Sequence, residues 1–296
     1  MLDFLAAGVE TEVQPQAWRI EFSEGSNALP DGVDAIEIAE PRNVTALLTP
    51  LTLSVAFRQP HLPTDGAVIV VWMPPTVDRA STVERDADEW MRGAGEKRKE
   101  AMVRADVRTM RVVWDEGRAV IYASQRDIHS ALDAIVRFSL VQQEAVALEA
   151  AVRSEWASIE ANVDLTHAVT RRDQKRQRHL NEITEMAARR KIAWLRVSRS
   201  IEQLDPTLAE PSKRLFAELV SGASLYDRME MLDDPIQYAL DQYELANARL
   251  TEASHARKEL VHSIIGYVAI IVLLVAQLLL MMGLDGALLH WPASWR

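Results

Sequence analysis

Between Leu260 and Leu284 the chain reads LVHSIIGYVAIIVLLVAQLLLMMGL, with no Asp, Glu, Lys or Arg. A bilayer's hydrocarbon core is about 30 Å thick and needs roughly 20 apolar residues of helix, so this run predicts one transmembrane helix. Everything before it is polar enough to be a water-facing body. Up to Ala123 short apolar runs alternate with turns, and four read as strands: Leu51 to Phe57, Ala67 to Trp72, Val107 to Trp114 and Arg118 to Ala123. They are rich in Val, Ile and Trp and are bounded by Pro, Gly or Asp. Asp115-Glu116-Gly117 makes a hairpin of Val112 to Tyr122. Trp18 to Phe22 and Val33 to Ile38 are two further strands, and Ser81 to Glu100, charged at helical spacing, is an exposed helix.

Beyond Ala123 the period becomes helical. Ser124 and Asp127 cap a long helix running from Asp127 to Asn162, whose apolar side is Ile128, Leu132, Ile135, Leu140, Val146 and Leu148. A second long helix runs antiparallel to it from Leu165 to Gln203 and stops at Asp205-Pro206. Two shorter ones, Pro211 to Val220 and Ser224 to Met231, precede Pro235. From Pro235, well placed in a first turn, a stalk helix about 70 Å long continues into the membrane. The expectation is α+β: an α+β domain over 1–123, a long-helix or coiled-coil domain over 124–259, a span over 260–284 and a short tail over 285–296.

Charge orients the span. Arg249, Arg257 and Lys258 precede it, while Asp285 and Arg296 follow, so the positive-inside bias keeps the body in the cytoplasm, with a bacterial inner membrane as the expected site. Trp291 and Trp295 suit the far interface. The start, MLDFLAAGVETEVQP, lacks a basic region ahead of an apolar run, so no secretory signal is expected there. With no cysteine, disulfides, thiolate metal sites and cysteine nucleophiles are excluded. A formal charge of -10 argues against nucleic-acid binding by the whole molecule.

One stretch departs from that acidity. Arg171, Arg172, Lys175, Arg176, Arg178, Arg189, Arg190, Lys191, Arg196 and Arg199 face only Asp173, Glu182 and Glu185 within the second long helix. Such a block suits RNA, an acidic protein or anionic lipid. It also suits internal neutralisation of the first fifty residues, where nine acids outnumber Arg19 and Arg42. Leu240, Tyr243, Asn247 and Leu250 follow a 3-4 spacing in the stalk, and Gly266 and Gln277 lie in the span. Together these six are candidates for a homo-oligomer seam. Cover of the stalk seam by the chain's own helices fits the same spacing. His255, Glu259 and His262 share one helical face and are the candidate metal set.

No catalytic pattern stands out. Gly93-Ala94-Gly95-Glu96-Lys97 lacks the spacing and the final Ser or Thr of a phosphate loop, and neither G-x-S-x-G nor H-E-x-x-H occurs. No enzyme, cofactor or small-molecule substrate is expected.

The segments Leu48 to Val55 (LTPLTLSV), Trp114 to Ser124 (WDEGRAVIYAS) and Leu245 to Leu250 (LANARL) occur in this order of parts. In that, the chain resembles the tail-anchored family required for meiotic nuclear division. That resemblance implies a tail-anchored tether, with mitochondrial relatives supporting gene expression at the membrane. The family's aromatic-glycine strand is only partly matched, by Ala56 to Gln59 and Val70 to Trp72. The layout is also similar to CorA-type cation channels, but Met282-Gly283-Leu284-Asp285 stands where a Gly-Met-Asn signature would be. The reading is a membrane-anchored, oligomeric, non-enzymatic scaffold or tether bound to membrane lipid; the alternative is a CorA-like ion channel or permeabilising protein.

Overall fold

The computed structural model describes residues 14–24, 33–58, 66–75, 82–95, 102–115, 117–162 and 176–281. The chain is α+β. Seven strands, β1 (Gln16–Ser23), β2 (Asp34–Ile38), β3 (Val44–Leu51), β4 (Val68–Met73), β5 (Val103–Val107), β6 (Met110–Asp115) and β7 (Arg118–Tyr122), form one sheet in the order β2-β3-β1-β4-β7-β6-β5. Only β4 and β7 pair in parallel; the other pairs are antiparallel. The helices among the described residues are α1 (Leu53–Arg58), α2 (Thr82–Gly95), α3 (Ile128–Asn162), α4 (Gln177–Glu202), α5 (Glu210–Gly222) and α6 (Leu225–Met281).

The chain divides into two compact units, Met1–Trp156 with Ala188–Tyr238, and Ala157–Ala187 with Ala239–Arg296. In the first unit the central strand β4 is buried at all six residues. Because successive side chains point to opposite faces of a sheet, it feeds two cores at once. Val68, Val70 and Trp72 join the larger core beneath α3, α5 and the facing parts of α4 and α6. Ile69, Val71 and Met73 join the smaller core beneath α1 and α2. A strand covered on both faces is apolar throughout rather than alternating, which is how the sequence reads here.

Helix α3 is the helical counterpart. Ala131, Leu132, Ala134, Ile135, Val136, Phe138, Leu140 and Val141 are all buried, so it is apolar nearly all round where it crosses the sheet. Just before its start Ser124 Oγ and Thr109 Oγ1 each donate to Asp127 Oδ2 at 2.8 Å, which holds that carboxyl below its usual range. Trp114 packs edge-on against Phe138 at 4.9 Å and donates its indole N–H to the buried Ser139 hydroxyl at 3.1 Å. The second unit has its own core, Ile159, Leu180, Ile183, Ala187, Ala239, Tyr243, Ala246 and Leu250, contributed by three helices.

Several expectations need correction. Leu51 to Phe57 is not a strand: β3 ends at Leu51, and the amides of Val55 and Ala56 both donate to the Thr52 carbonyl as α1 begins. Leu53, Ala56 and Phe57 pack on the smaller core, the i, i+3, i+4 spacing of a helix rather than alternation. Val107 to Trp114 is the tip of a hairpin rather than one strand. Val107 pairs with Met110 across a two-residue turn, Arg108-Thr109, in which Arg108 has φ +51°. Glycine or asparagine is the normal signal for such a turn, and neither is present.

Helix α2 is not exposed all round. Ala87, Trp90 and Met91 are buried, and residues 96–100 of the expected helix lie outside the described residues. Pro235 does not begin the last helix: α6 starts at Leu225 and carries Pro235 within it, absorbing the separate helix expected over Ser224 to Met231. Proline removes one ladder hydrogen bond, but the buried Leu225, Met229 and Ile236 hold the helix to the core on both sides of it. The part of the second long helix expected over 165–175 lies outside the described residues.

The Trp114–Ser139 bond makes a direct test of this packing. Trp114→Phe is expected to destabilise the protein by about 1–3 kcal/mol, because it leaves a buried hydroxyl without its donor. In a denaturant-unfolding cycle with Ser139→Ala the two losses should be less than additive; strict additivity would show the bond contributes nothing.

Candidate functional site

Every side chain of α6 from His255 to Met281 is exposed, although the same helix contributes buried residues to both units up to and including Leu250. Leu260, Ile265, Ile271, Leu273, Leu278 and Leu280 are each about 60 % exposed or more. Among the described residues this is the one helix long and apolar enough to cross a membrane, and none of that segment is buried. Gly266 has open space around its Cα, and Gln277 lies in the exposed run. Residues 282–296, with the flanking Asp285, Trp291, Trp295 and Arg296, fall outside the described residues.

His255, Glu259 and His262 are exposed too. His262 Nδ1 lies 2.7 Å from the Lys258 carbonyl of the preceding turn. Among the described residues no group of three or more His, Asp or Glu side chains is placed to hold a metal ion.

The 3-4 seam in the stalk is covered by the chain itself. Tyr243 and Leu250 are buried among Ile159, Leu180, Ile183 and Ala187, with Leu240 packed against them. Asn247 accepts from Thr251 through its backbone carbonyl at 2.9 Å, and Thr251 in turn accepts from Gln177 Nε2 at 3.2 Å. The side-chain oxygen of Asn247 is buried with no hydrogen-bond partner among the described residues.

The basic block separates into residues with different duties. Arg171, Arg172 and Lys175 lie outside the described residues. Arg176 donates to the Ala161 carbonyl at 3.3 Å, and Arg178, 92 % exposed, lies 3.5 Å from Glu182. Arg190 forms an ion pair with the buried Glu155. Lys191 pairs with Asp233 at 2.5 Å and sits 4.3 Å above the Trp194 ring. Arg199 reaches Glu40, one of the acids of the first fifty residues, at 3.6 Å. Arg189 and Arg196 are exposed. The sequence places these cations in one run; the fold commits Arg190 and Lys191 to internal pairs.

Arg190→Ala should therefore cost roughly 3–5 kcal/mol by leaving the Glu155 carboxylate buried without its counter-ion. Arg196→Ala, at an exposed position, should change stability by about 0.5 kcal/mol or less. Equal effects in thermal or denaturant unfolding would remove the structural assignment of Arg190.

One cavity of the first unit has no counterpart in the sequence reading. It encloses about 510 Å³ between the end of β2, α3, α4 and the loop leading to α5, over an apolar floor of Val141, Leu208 and Phe216. At its rim Arg137 pairs with Asp205 at 3.1 Å and donates to the Glu37 carbonyl at 3.4 Å, while Arg199 meets Glu40. Two cations and two carboxylates leave the rim balanced. Four separate elements supply these residues, so no linear motif announces them. A smaller cavity of about 260 Å³ lies at the ends of β4 and β7, lined by Arg108, Arg111 and Tyr122. Burial, followed by the charges of Asp88 and Glu84, pushes the Tyr122 phenol up to about 12, so it stays protonated.

Carboxylates beside the larger cavity are driven in opposite directions. Hydrogen bonds from the Thr207 hydroxyl and amide hold Asp205 below its usual range. Burial pushes Asp133 above it, against the attraction of Arg137 and His129. A carboxyl whose folded-state pKa is raised makes stability fall as pH rises through that range, because the folded state then binds the proton more tightly than the unfolded one. Asp133→Asn is expected to raise the melting temperature at pH 7, and the gain should shrink as pH falls toward about 4, the ordinary carboxyl value, and be absent below it. A gain that persists at low pH would point to a cause other than Asp133 ionisation.

No protein-family model matches the chain, and no curated protein sequence does. Among solved structures the chain is similar to the one titled "structure of the full-length CmaX protein", at 11 % identity and a TM-score of 0.32, over 92 % of this chain and 92 % of that one.

Proposed function

We propose that this protein is a single-pass membrane-anchored scaffold or tether whose body stands on the cytoplasmic side. The observation that carries the reading is the two-part character of α6, packed in protein cores up to Leu250 and bare from His255 to Met281. Exposing such a run to water has a large hydrophobic cost, whereas hydrocarbon covers it without further contacts. Arg257 and Lys258 just before it support the orientation through the positive-inside bias. The tether role draws on the resemblance to the tail-anchored family required for meiotic nuclear division. It also draws on the strongly exposed Arg178, beside Arg171, Arg172, Lys175 and Arg176, as a contact for an acidic protein or RNA. The rival is an oligomeric ion-conducting protein with bundled spans.

Full-length protein should float with liposomes and resist alkaline extraction. Ile271→Arg with Leu274→Arg should release it, since an arginine at mid-span costs about 2.5–3.5 kcal/mol on insertion scales. Changing Arg172, Lys175, Arg176 and Arg178 to Glu should abolish recovery of a bound partner while leaving flotation intact. Unchanged recovery would remove the polyanion contact, and a bilayer conductance altered by Gln277→Leu would favour the channel.

A further inference from the structure

We propose that the membrane span of α6 associates with the same span of a second copy of this chain, along one face that carries Gly266 and Gln277. This rests on the membrane-anchored reading and adds to it what covers the helix within the bilayer.

The argument starts from the amide. Gln277 is the one residue between Ile264 and Met281 whose side chain carries an amide, a carboxylate or a cation, and it lies about five residues, or some 8 Å, from the middle of the apolar run. Helical backbone satisfies its own N–H and C=O groups, so lipid leaves nothing for this amide to bond. Its partner must come from protein, from the interface or from water drawn inward. Tyr243, Leu250 and the rest of the stalk seam are already covered by the chain's own helices, so that seam leaves no room for a second copy. Of the six residues read as a homo-oligomer seam, Gly266 and Gln277 are the two on the part of α6 that the described residues leave uncovered.

Helical periodicity then selects the face. Gly266 and Gln277 are eleven residues apart, three turns to within about 20°, and Ile270, Leu273 and Leu280 fall within about 80° of arc with them. All five are exposed. Gly266 carries no Cβ, so a neighbouring backbone can approach closely there. A glutamine amide both donates and accepts. Two parallel copies related by a twofold axis therefore place identical amides opposite each other, and each can donate to the other. Glycine supplies close approach at one end of the face and the amide supplies directed bonding at the other.

The test uses full-length protein in liposomes at several protein-to-lipid ratios. Energy transfer between copies labelled in the body measures association, and alkaline extraction of the same samples measures anchoring. Wild type should show saturable transfer. Gln277→Leu should weaken association by at least roughly threefold, the lower end of what losing even one interhelical side-chain hydrogen bond costs. Gly266→Ile should weaken it as well, while Val275→Leu, on the opposite side of the helix, should not. Extraction should be unchanged in all three. A span that resists extraction yet gives no saturable transfer, or transfer indifferent to both Gln277→Leu and Gly266→Ile, overturns the pairing and leaves the anchor standing. Extraction of the wild type would overturn both.

Discussion

The fold depends on a strand that has no solvent face. Once all six residues of β4 are apolar, both sides of the sheet must be covered, and the remaining elements follow from that demand. The short helices α1 and α2 close one side with Ala56, Ala87, Trp90 and Met91. The other side needs a longer cover, and α3 supplies it with an apolar surface that no amphipathic surface helix could tolerate. Several polar groups inside these layers are matched rather than excluded. The Trp72 indole donates to the Ala123 carbonyl at 2.8 Å, the Trp114 indole bonds Ser139, and Arg118, 2 % exposed, donates to the Trp90 carbonyl at 2.8 Å.

Much of this was legible because the governing signals are local. β4, β7 and α3 are long or strongly apolar, and α3 begins at Ile128, just after Ser124 and Asp127. The misreadings share a physical cause, which is tertiary contact overruling a local rule. A seven-residue run with apolar residues at positions 51, 53, 55 and 57 satisfies the strand pattern, yet Leu53, Ala56 and Phe57 find their burial as a helical turn. Arg108 takes a left-handed backbone conformation without glycine because the β5–β6 pairing on either side enforces it. Pro235 is carried inside α6 because packing before and after it outweighs one missing hydrogen bond.

The candidate sites were legible in proportion to how linear they are. The exposed apolar run of α6 is a single segment, so composition alone marks it. The Arg137–Asp205 cavity is assembled from α3, α4 and two loops, and nothing in the spacing of those residues marks them. The basic helix lies between these cases. Its charges are contiguous in sequence, but their duties depend on which acids the fold brings opposite them, and Glu155, Asp233 and Glu40 are remote in sequence.

Those pairings also bear on what the basic helix can bind. An exposed ion pair contributes about 0–1 kcal/mol, so the 3.6 Å contact of Arg199 with Glu40 or the 3.5 Å contact of Arg178 with Glu182 yields readily to a stronger anion. The Arg190–Glu155 pair does not, because releasing the arginine strands a buried carboxylate. An anionic partner arriving at this helix would therefore find its arginines unequal. It would take the exposed ones at the Arg178 end first and leave the pairs that hold α4 against α3 and α6. The sequence counts those cations alike; the difference between them is desolvation, and only the fold sets it.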